Sequence, residues 1–334
     1  MTSLSPVKEL TCLSYADLTE DILCSKQPLI LRGLVKNWPL VLSGLKSNVA
    51  VTEYLSCFYN QKPVYALLAG AQEKGRYFYN DDLTGFNFTR KPYQLDELLK
   101  QILGMADQTE ADAVYVGSTS VNHILPGLRA ENDIPPLADK PLVSIWIGNQ
   151  SRIAAHYDVT DNVACVAVGK RRFTLFPPEQ LDNLYIGPLD FTPAGQPASL
   201  VDFVQPDFAR FPKFKTALEH GFVAELEAGD AIFIPSMWWH HVEALSDLNI
   251  LVNYWWRQVP VHMGAPGDAL NHAMLCIKDL PPEQREAWRR LFEHYVFSPQ
   301  PYEHIPANAK GILSSIDENL ARKLRAMLIN NLNR

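Results

Sequence analysis

The middle of this 334-residue chain is a succession of short apolar runs, each bounded by turn formers, and that pattern most restricts what it can fold into. The runs at 141–148, 162–169, 172–176, 229–235 and 249–256 are five to eight residues long and rich in Val, Ile, Phe and Trp. Strands of that length at that spacing call for an antiparallel sandwich or barrel. The segment between the third and fourth, about 182–222, is rich in Pro, Phe and Asp without clear periodicity. A loop that long inside a compact domain is often a functional one.

The flanks obey a different grammar. Residues 28–33 read as a short buried strand ended by Gly33. Residues 93–103 read as an amphipathic helix, with Leu95, Leu98, Leu99 and Ile102 at i, i+3, i+4 and i+7. From 263 onward the pattern is helical. Trp288, Leu291, Phe292 and Tyr295 form one stripe, Leu320, Leu324, Met327 and Leu328 another, and Pro281-Pro282 fits a helix start. We therefore expect an N-terminal α/β region over 1–110, a β core over 111–262 and a helical region over 263–334.

Composition excludes several classes. With 47% apolar and 20% charged residues, the chain reads as an ordinary globular protein. A net charge of −7 disfavours a nucleic-acid partner, and the clearest basic run, Lys170-Arg171-Arg172, is short. Five scattered cysteines with no CxxC pair indicate neither a disulfide framework nor a zinc ribbon. No secretory signal and no apolar run of about 18 residues is present, so the expected setting is the cytoplasm, with no membrane partner.

The sharpest chemical feature is His156-Tyr157-Asp158. In an extended strand residues i and i+2 share a face, so an imidazole and a carboxylate are presented side by side. Trp238-Trp239-His240-His241 follows about eighty residues later, beyond a strand that ends at Pro235. Two histidines and one carboxylate on one face of an octahedral ion leave three positions open, as in non-heme iron oxygenases. Taken alone an HxD pair is common, and a satisfied core histidine explains most instances. Zinc also accepts these ligands. Only one of His240 and His241 can face the ion, because neighbours in a strand point opposite ways.

The segment 111–260 resembles the JmjC-related, cupin-like 2-oxoglutarate oxygenases, in particular the asparaginyl hydroxylase that inhibits hypoxia-inducible factor and its bacterial cupin-like relatives. The matching text is Ala155-His156-Tyr157-Asp158, Asn162, residues 169–178, parts of 201–212, Gly229-Asp230 with Ile234-Pro235, Trp238-Trp239-His240-His241 and Val252-Asn253-Tyr254-Trp255. The resemblance implies a mainly β fold with α elements, a double-stranded β-helix or jelly roll. It implies iron(II) on His156, Asp158 and His240, with 2-oxoglutarate as cosubstrate and O₂ as oxidant. Asn162, Asn253 and Trp255 would line the cosubstrate site, and Tyr115 would bind its far carboxylate. Arg171 stands where the hydroxylase has a cosubstrate-binding lysine, and arginine can clamp a carboxylate bidentately. Ile153 stands where a threonine is expected. No protein acid or base is assigned, because metal and cosubstrate carry the chemistry.

The implied activity is hydroxylation of a side chain in a protein, a peptide or an amino acid, yielding succinate and CO₂. Residues 201–212 resemble a segment lining a peptide groove, which favours a peptide. The alternatives are a non-catalytic cupin that binds a metal or small ligand, an RNA-base hydroxylase, and methyl-lysine demethylation. The resemblance also implies a homodimer built through the C-terminal helices.

Overall fold

The structure is a computed structural model that describes all residues except 1–3, 13, 107, 109, 136, 138, 139, 194, 299 and 334. The chain divides into two compact units, residues 1–257 and 258–334.

The first unit is built on two sheets. The six-stranded sheet runs β1 (Ser5–Pro6), β12 (Phe222–Leu226), β11 (Arg171–Phe176), β14 (Trp239–Ala244), β9 (Ser151–Tyr157) and β5 (Arg76–Tyr77). The nine-stranded sheet runs β2 (Lys8–Thr11), β3 (Leu29–Arg32), β13 (Ala231–Ile234), β10 (Asp161–Val168), β15 (Asn249–Trp256), β8 (Leu142–Gly148), β7 (Ala113–Ser120), β4 (Val64–Ala69) and β6 (Thr89–Tyr93). From β8 to β15 the chain passes between the sheets at nearly every turn. It leaves β8, β10, β13 and β15 in one and β9, β11, β12 and β14 in the other. That alternation is a double-stranded β-helix, so the expectation of a jelly roll with added α/β elements holds.

Strand β10 shows why the middle runs are so apolar. Val163, Cys165 and Ala167 belong to a core shared with helices, while Ala164 and Val166 face the barrel interior. A strand covered on both faces reads as a continuous apolar run rather than an alternation. The helical cover comes from α1 (Glu20–Leu23), α2 (Pro39–Lys46), α3 (Asn48–Ser56), α4 (Leu95–Gly104) and α5 (Val121–Ile124). In α4 the four residues expected to face inward, Leu95, Leu98, Leu99 and Ile102, are buried. Among the first hundred residues, β3 pairs with β13 and β5 with β9, so this part of the chain enters both sheets.

Among the described residues, the insert between β11 and β12 contains a 3-10 helix over Pro178–Asn183 and one short α-helix, α6 (Phe214–Glu219). Its Val201, Phe211 and Phe214 pack with Phe176 and Trp239. Residues 201 and 211, expected beside a peptide groove, therefore lie in an apolar cluster with Trp239, which faces away from its neighbour His240. The second unit holds α7 (Pro266–Ile277), α8 (Pro282–Phe292) and α9 (Glu318–Leu332). Pro282 occupies the first helical turn as the sequence predicts. Among the described residues no helix is long and apolar enough to cross a membrane.

The turn from β10 to β11 sets the position of Arg171, and it rests on Gly169 at φ 79°. A Cβ there would lie 2.6 Å from the Leu248 carbonyl oxygen. Gly169→Ala should destabilise the protein by about 1–3 kcal/mol from the left-handed backbone alone, with the clash adding to it. A urea-denaturation midpoint equal to wild type would contradict that.

Candidate metal centre

His156 and His240 reach each other through strand pairing. In the β9–β14 ladder they are direct antiparallel partners, as are Tyr157 and Trp239. Opposite residues point to the same face, so both imidazoles enter the barrel with ring centroids 4.4 Å apart. Asp158 lies one residue past the end of β9, not within the strand as the HxD spacing implied. Its backbone carbonyl accepts from the Met237 amide at 2.8 Å, which ties the two ligand-bearing segments together. Met237 itself adopts φ 68°, a strained conformation for a side-chain-bearing residue. One donor atom from each of His156, Asp158 and His240 falls within 4.8 Å of the others.

The surrounding groups fix which atoms face the ion. His156 Nδ1 lies 2.9 Å from the Ala154 carbonyl oxygen, and His240 Nδ1 lies 3.0 Å from that of Trp238. A carbonyl only accepts, so Nδ1 carries the proton in both rings and Nε2 presents its lone pair. Burial, then the neighbouring His240, holds His156 down at about 4, so the ring stays neutral and ligand-competent at neutral pH. Asp158 Oδ2 accepts from Trp255 Nε1 at 3.0 Å and from Asn162 Nδ2 at 3.4 Å. Asn162 Oδ1 in turn accepts from Asn253 Nδ2 at 3.4 Å, and Asn253 Oδ1 accepts from Trp146 Nε1 at 2.7 Å. A relay of donors thus orients the carboxylate. Two imidazoles that keep Nδ1 on backbone carbonyls and one oriented carboxylate form a donor set that fits a divalent iron, and zinc no less.

The triad opens into a cavity of about 310 Å³. Its lining includes all eight residues singled out in the sequence: His156, Asp158 and His240, with Tyr115, Asn162, Arg171, Asn253 and Trp255. Arg171 is only 2% exposed, yet its Nε has no hydrogen-bond partner. Alternation splits the basic run that contains it. Lys170 pairs with Glu227 at 2.6 Å and Arg172 with Glu225 at 2.8 Å, while Arg171 turns inward. Among the described residues Arg171 forms no ion pair. Burial draws its guanidinium below the usual arginine value and pushes the Tyr115 hydroxyl well above the usual phenol range. Tyr115 therefore remains a hydrogen-bond donor.

Three features of the cavity were not legible in the sequence. Trp146 completes the donor relay and stands edge-on to Trp255 at 5.7 Å. It sits in a run with no apolar–polar alternation, so nothing marked which way it points. Tyr77 packs against Tyr115 at 5.5 Å. The third is the bulge in β9: His156 pairs with His240, but Ile153 pairs with Val242, so two residues of β9 oppose one of β14. Ile153 itself lines the cavity, in line with its place at the expected threonine position. His241 turns to the other side, buried with no partner on Nδ1 and 5.0 Å from the Phe203 ring. From the long insert, Pro193 lines the cavity.

Burial holds His241 at about 3. The unfolded chain takes up protons on His156 and His241 near pH 6.5, whereas the folded metal-free chain does so only near 4 and 3. Folding stability should then fall as pH drops below about 6.5, by on the order of 1 kcal/mol per pH unit for each ring. Denaturation of chelator-treated protein between pH 7 and 5 measures this. His241→Gln should flatten the decline, and an unchanged slope would contradict the assignment.

Residues 15–262 match the model of the cupin-like domain family. Among similar proteins, the lysine-specific demethylase JMJ31 of Arabidopsis thaliana is 32% identical over 149 residues, covering 42% of this chain and 27% of that protein. The human tRNA wybutosine-synthesizing protein 5 is 30% identical over 155 residues, covering 42% and 46%. The human HSPB1-associated protein 1 is 29% identical over 152 residues, covering 43% and 30%. The matches thus span less than half the length of these relatives. A double-stranded β-helix with two histidines and an aspartate converging inside it, matched by that model over most of its length, belongs to the cupin-like domain family and has JmjC-type relatives.

Proposed function

We propose that this chain is an iron(II)- and 2-oxoglutarate-dependent oxygenase, a hydroxylase acting on a side chain of a protein, peptide or amino acid. The observation that carries the reading is Arg171, a buried cation with no counter-anion among the described residues, in the same cavity as the metal triad. Burying an unpaired charge costs on the order of several kcal/mol. A bound dicarboxylate offsets that cost, and its other end is then free to meet the metal.

Iron(II), 2-oxoglutarate and O₂ would supply the oxidising chemistry, with succinate and CO₂ as co-products. The protein's part is to hold and to exclude. His156 and His240 offer Nε2 because the carbonyls of Ala154 and Trp238 hold their Nδ1 protons. Trp255 and Asn162 hold Asp158 in place. Arg171 and the protonated Tyr115 would bind the distal carboxylate, while Asn253, held between Trp146 and Asn162, lines the same cavity. Ile153, Phe173, Val242 and Leu251 form apolar walls that keep water off the cosubstrate's methylenes. No side chain need act as general acid or base.

An RNA base is the second reading, and a tRNA wybutosine-synthesizing protein among the similar proteins favours it. The net charge of −7 opposes it. Demethylation of lysine, named for another relative, would use the same oxidation. A cytoplasmic setting belongs to the proposal and is supported by five cysteines that are all free thiols.

Anaerobic loading with iron followed by O₂- and 2-oxoglutarate-dependent succinate release tests the activity. His156→Ala or His240→Ala should reduce release at least a hundredfold. Arg171→Met should weaken 2-oxoglutarate binding about a hundredfold while leaving metal content unchanged. Tight zinc binding without turnover would sink the enzymatic reading in favour of a metal-binding module.

We further propose that the second unit makes a homodimer contact. Helices α7 and α8 bury none of their residues, and Leu270, Leu275, Trp288 and Leu291 are exposed. Light scattering after size exclusion should give twice the chain mass of 37.7 kDa. Trp288→Glu should halve it, and a wild-type monomer would refute the contact.

A further inference from the structure

Beside the metal cavity the nine-stranded sheet comes apart. Strand β7 pairs with β4 from Ala113–Ala69 to Val116–Ala66 and no further. It stays with β8 as far as Ser120, through a bulge at Gly117 and Ser118. Between β7 and β4 a groove of about 410 Å³ opens, and Leu67, Gly117 and Ser118 line both it and the metal cavity. At Gly117 no side chain stands in the passage, and a Cβ built there would meet nothing nearer than Trp146 at 3.9 Å. From Gly117 to Ser120 no strand among the described residues pairs with the β4 side of β7. The Gly117 carbonyl accepts from Thr119 Oγ1 at 3.0 Å, and the remaining backbone edge invites an extended chain.

The groove also has a charge. Arg90 forms no hydrogen bond or ion pair through its side chain among the described residues. Its guanidinium lies 4.4 Å over the ring of Tyr65, which is itself 53% exposed. Arg90 stands directly across from Leu67 in the β4–β6 ladder, so the free cation sits one strand away from the cavity's rim. Among the described residues no other lysine or arginine lines the groove. A nucleic-acid backbone gains its affinity by engaging several cations at once. One cation beside an open strand edge suits one carboxylate on an extended chain.

We propose that this groove binds an extended peptide carrying an acidic side chain, held by the open edge of β7 and by Arg90 against Tyr65, so that a neighbouring residue of the peptide passes over Gly117 into the cavity. The peptide's backbone would supply the hydrogen bonds and its Asp or Glu the register. The oxygenase reading concerns what happens to that residue inside the cavity, and the groove's preference can be measured apart from it.

The test uses the full chain and labelled pools of twelve-residue peptides, randomised except for one position fixed as Glu or Lys, with a twelve-nucleotide oligouridylate as comparison. At one or two positions the Glu pool should bind about fivefold tighter than the Lys pool. Arg90→Glu should invert that preference, which a misfolded variant would not do, and should leave 2-oxoglutarate affinity unchanged. Equal binding of both pools at every position, a preference that survives Arg90→Glu, or tighter binding of the oligouridylate than of any peptide pool would overturn the proposal. Inversion by Arg90→Glu in a chain that binds no 2-oxoglutarate would uphold the groove while removing the oxygenase reading.

Discussion

The pairing of β9 with β14 is the constraint on which everything else depends. It sets His156 directly opposite His240, so two imidazoles from segments some eighty residues apart share one side of one sheet. A slip of one residue would turn either ring to the outer face and bring Tyr157 or His241 inward. Several features hold the register. The Met237 amide binds the Asp158 carbonyl at one end, the bulge beside His241 fixes the count along the ladder, and both flanking outer residues, Trp239 and His241, are buried. Slipping the strands would therefore expose apolar surface as well as dismantle the donor set.

The cavity behind that pair holds two kinds of polar group. At the metal end, a chain of donors from Trp146 through Asn253 and Asn162 ends on Asp158, while two backbone carbonyls fix the imidazole tautomers. Arg171 and Tyr115 line the same cavity together with apolar side chains. The carboxylate is thus held by donors, while the Arg171 Nε in the same cavity has no hydrogen-bond partner.

Outside the barrel, the same sheet that supplies the cavity wall continues through β7, β4 and β6. Because β7 parts from β4 at Gly117, the wall becomes a groove without a break in the surface. The long insert, in contrast, places most of its aromatic residues against the outer face of the smaller sheet and brings Pro193 to the cavity. Both that insert, through Pro193, and the β4–β7 edge, through Leu67 and Gly117, reach the cavity lining.

Much was legible in advance, for identifiable reasons. Short apolar runs closed by glycine and proline dictate strands, because each must bury its side chains within a few residues of a turn. The i, i+3, i+4 spacing in α4 dictates a helix with one buried face. The His156 and Asp158 pair is local, so its two members were visible in sequence although Asp158 lies just past the end of β9. The inward turn of Arg171, with its basic neighbours outward, follows from strand alternation once the strand is known. What only the tertiary structure decided are the relations between distant segments: the partner of each strand, the bulge in β9, the place of Trp146 and the parting of β7 from β4. Those depend on how two sheets close on each other, and a strand covered on both faces leaves no periodicity from which its direction can be read.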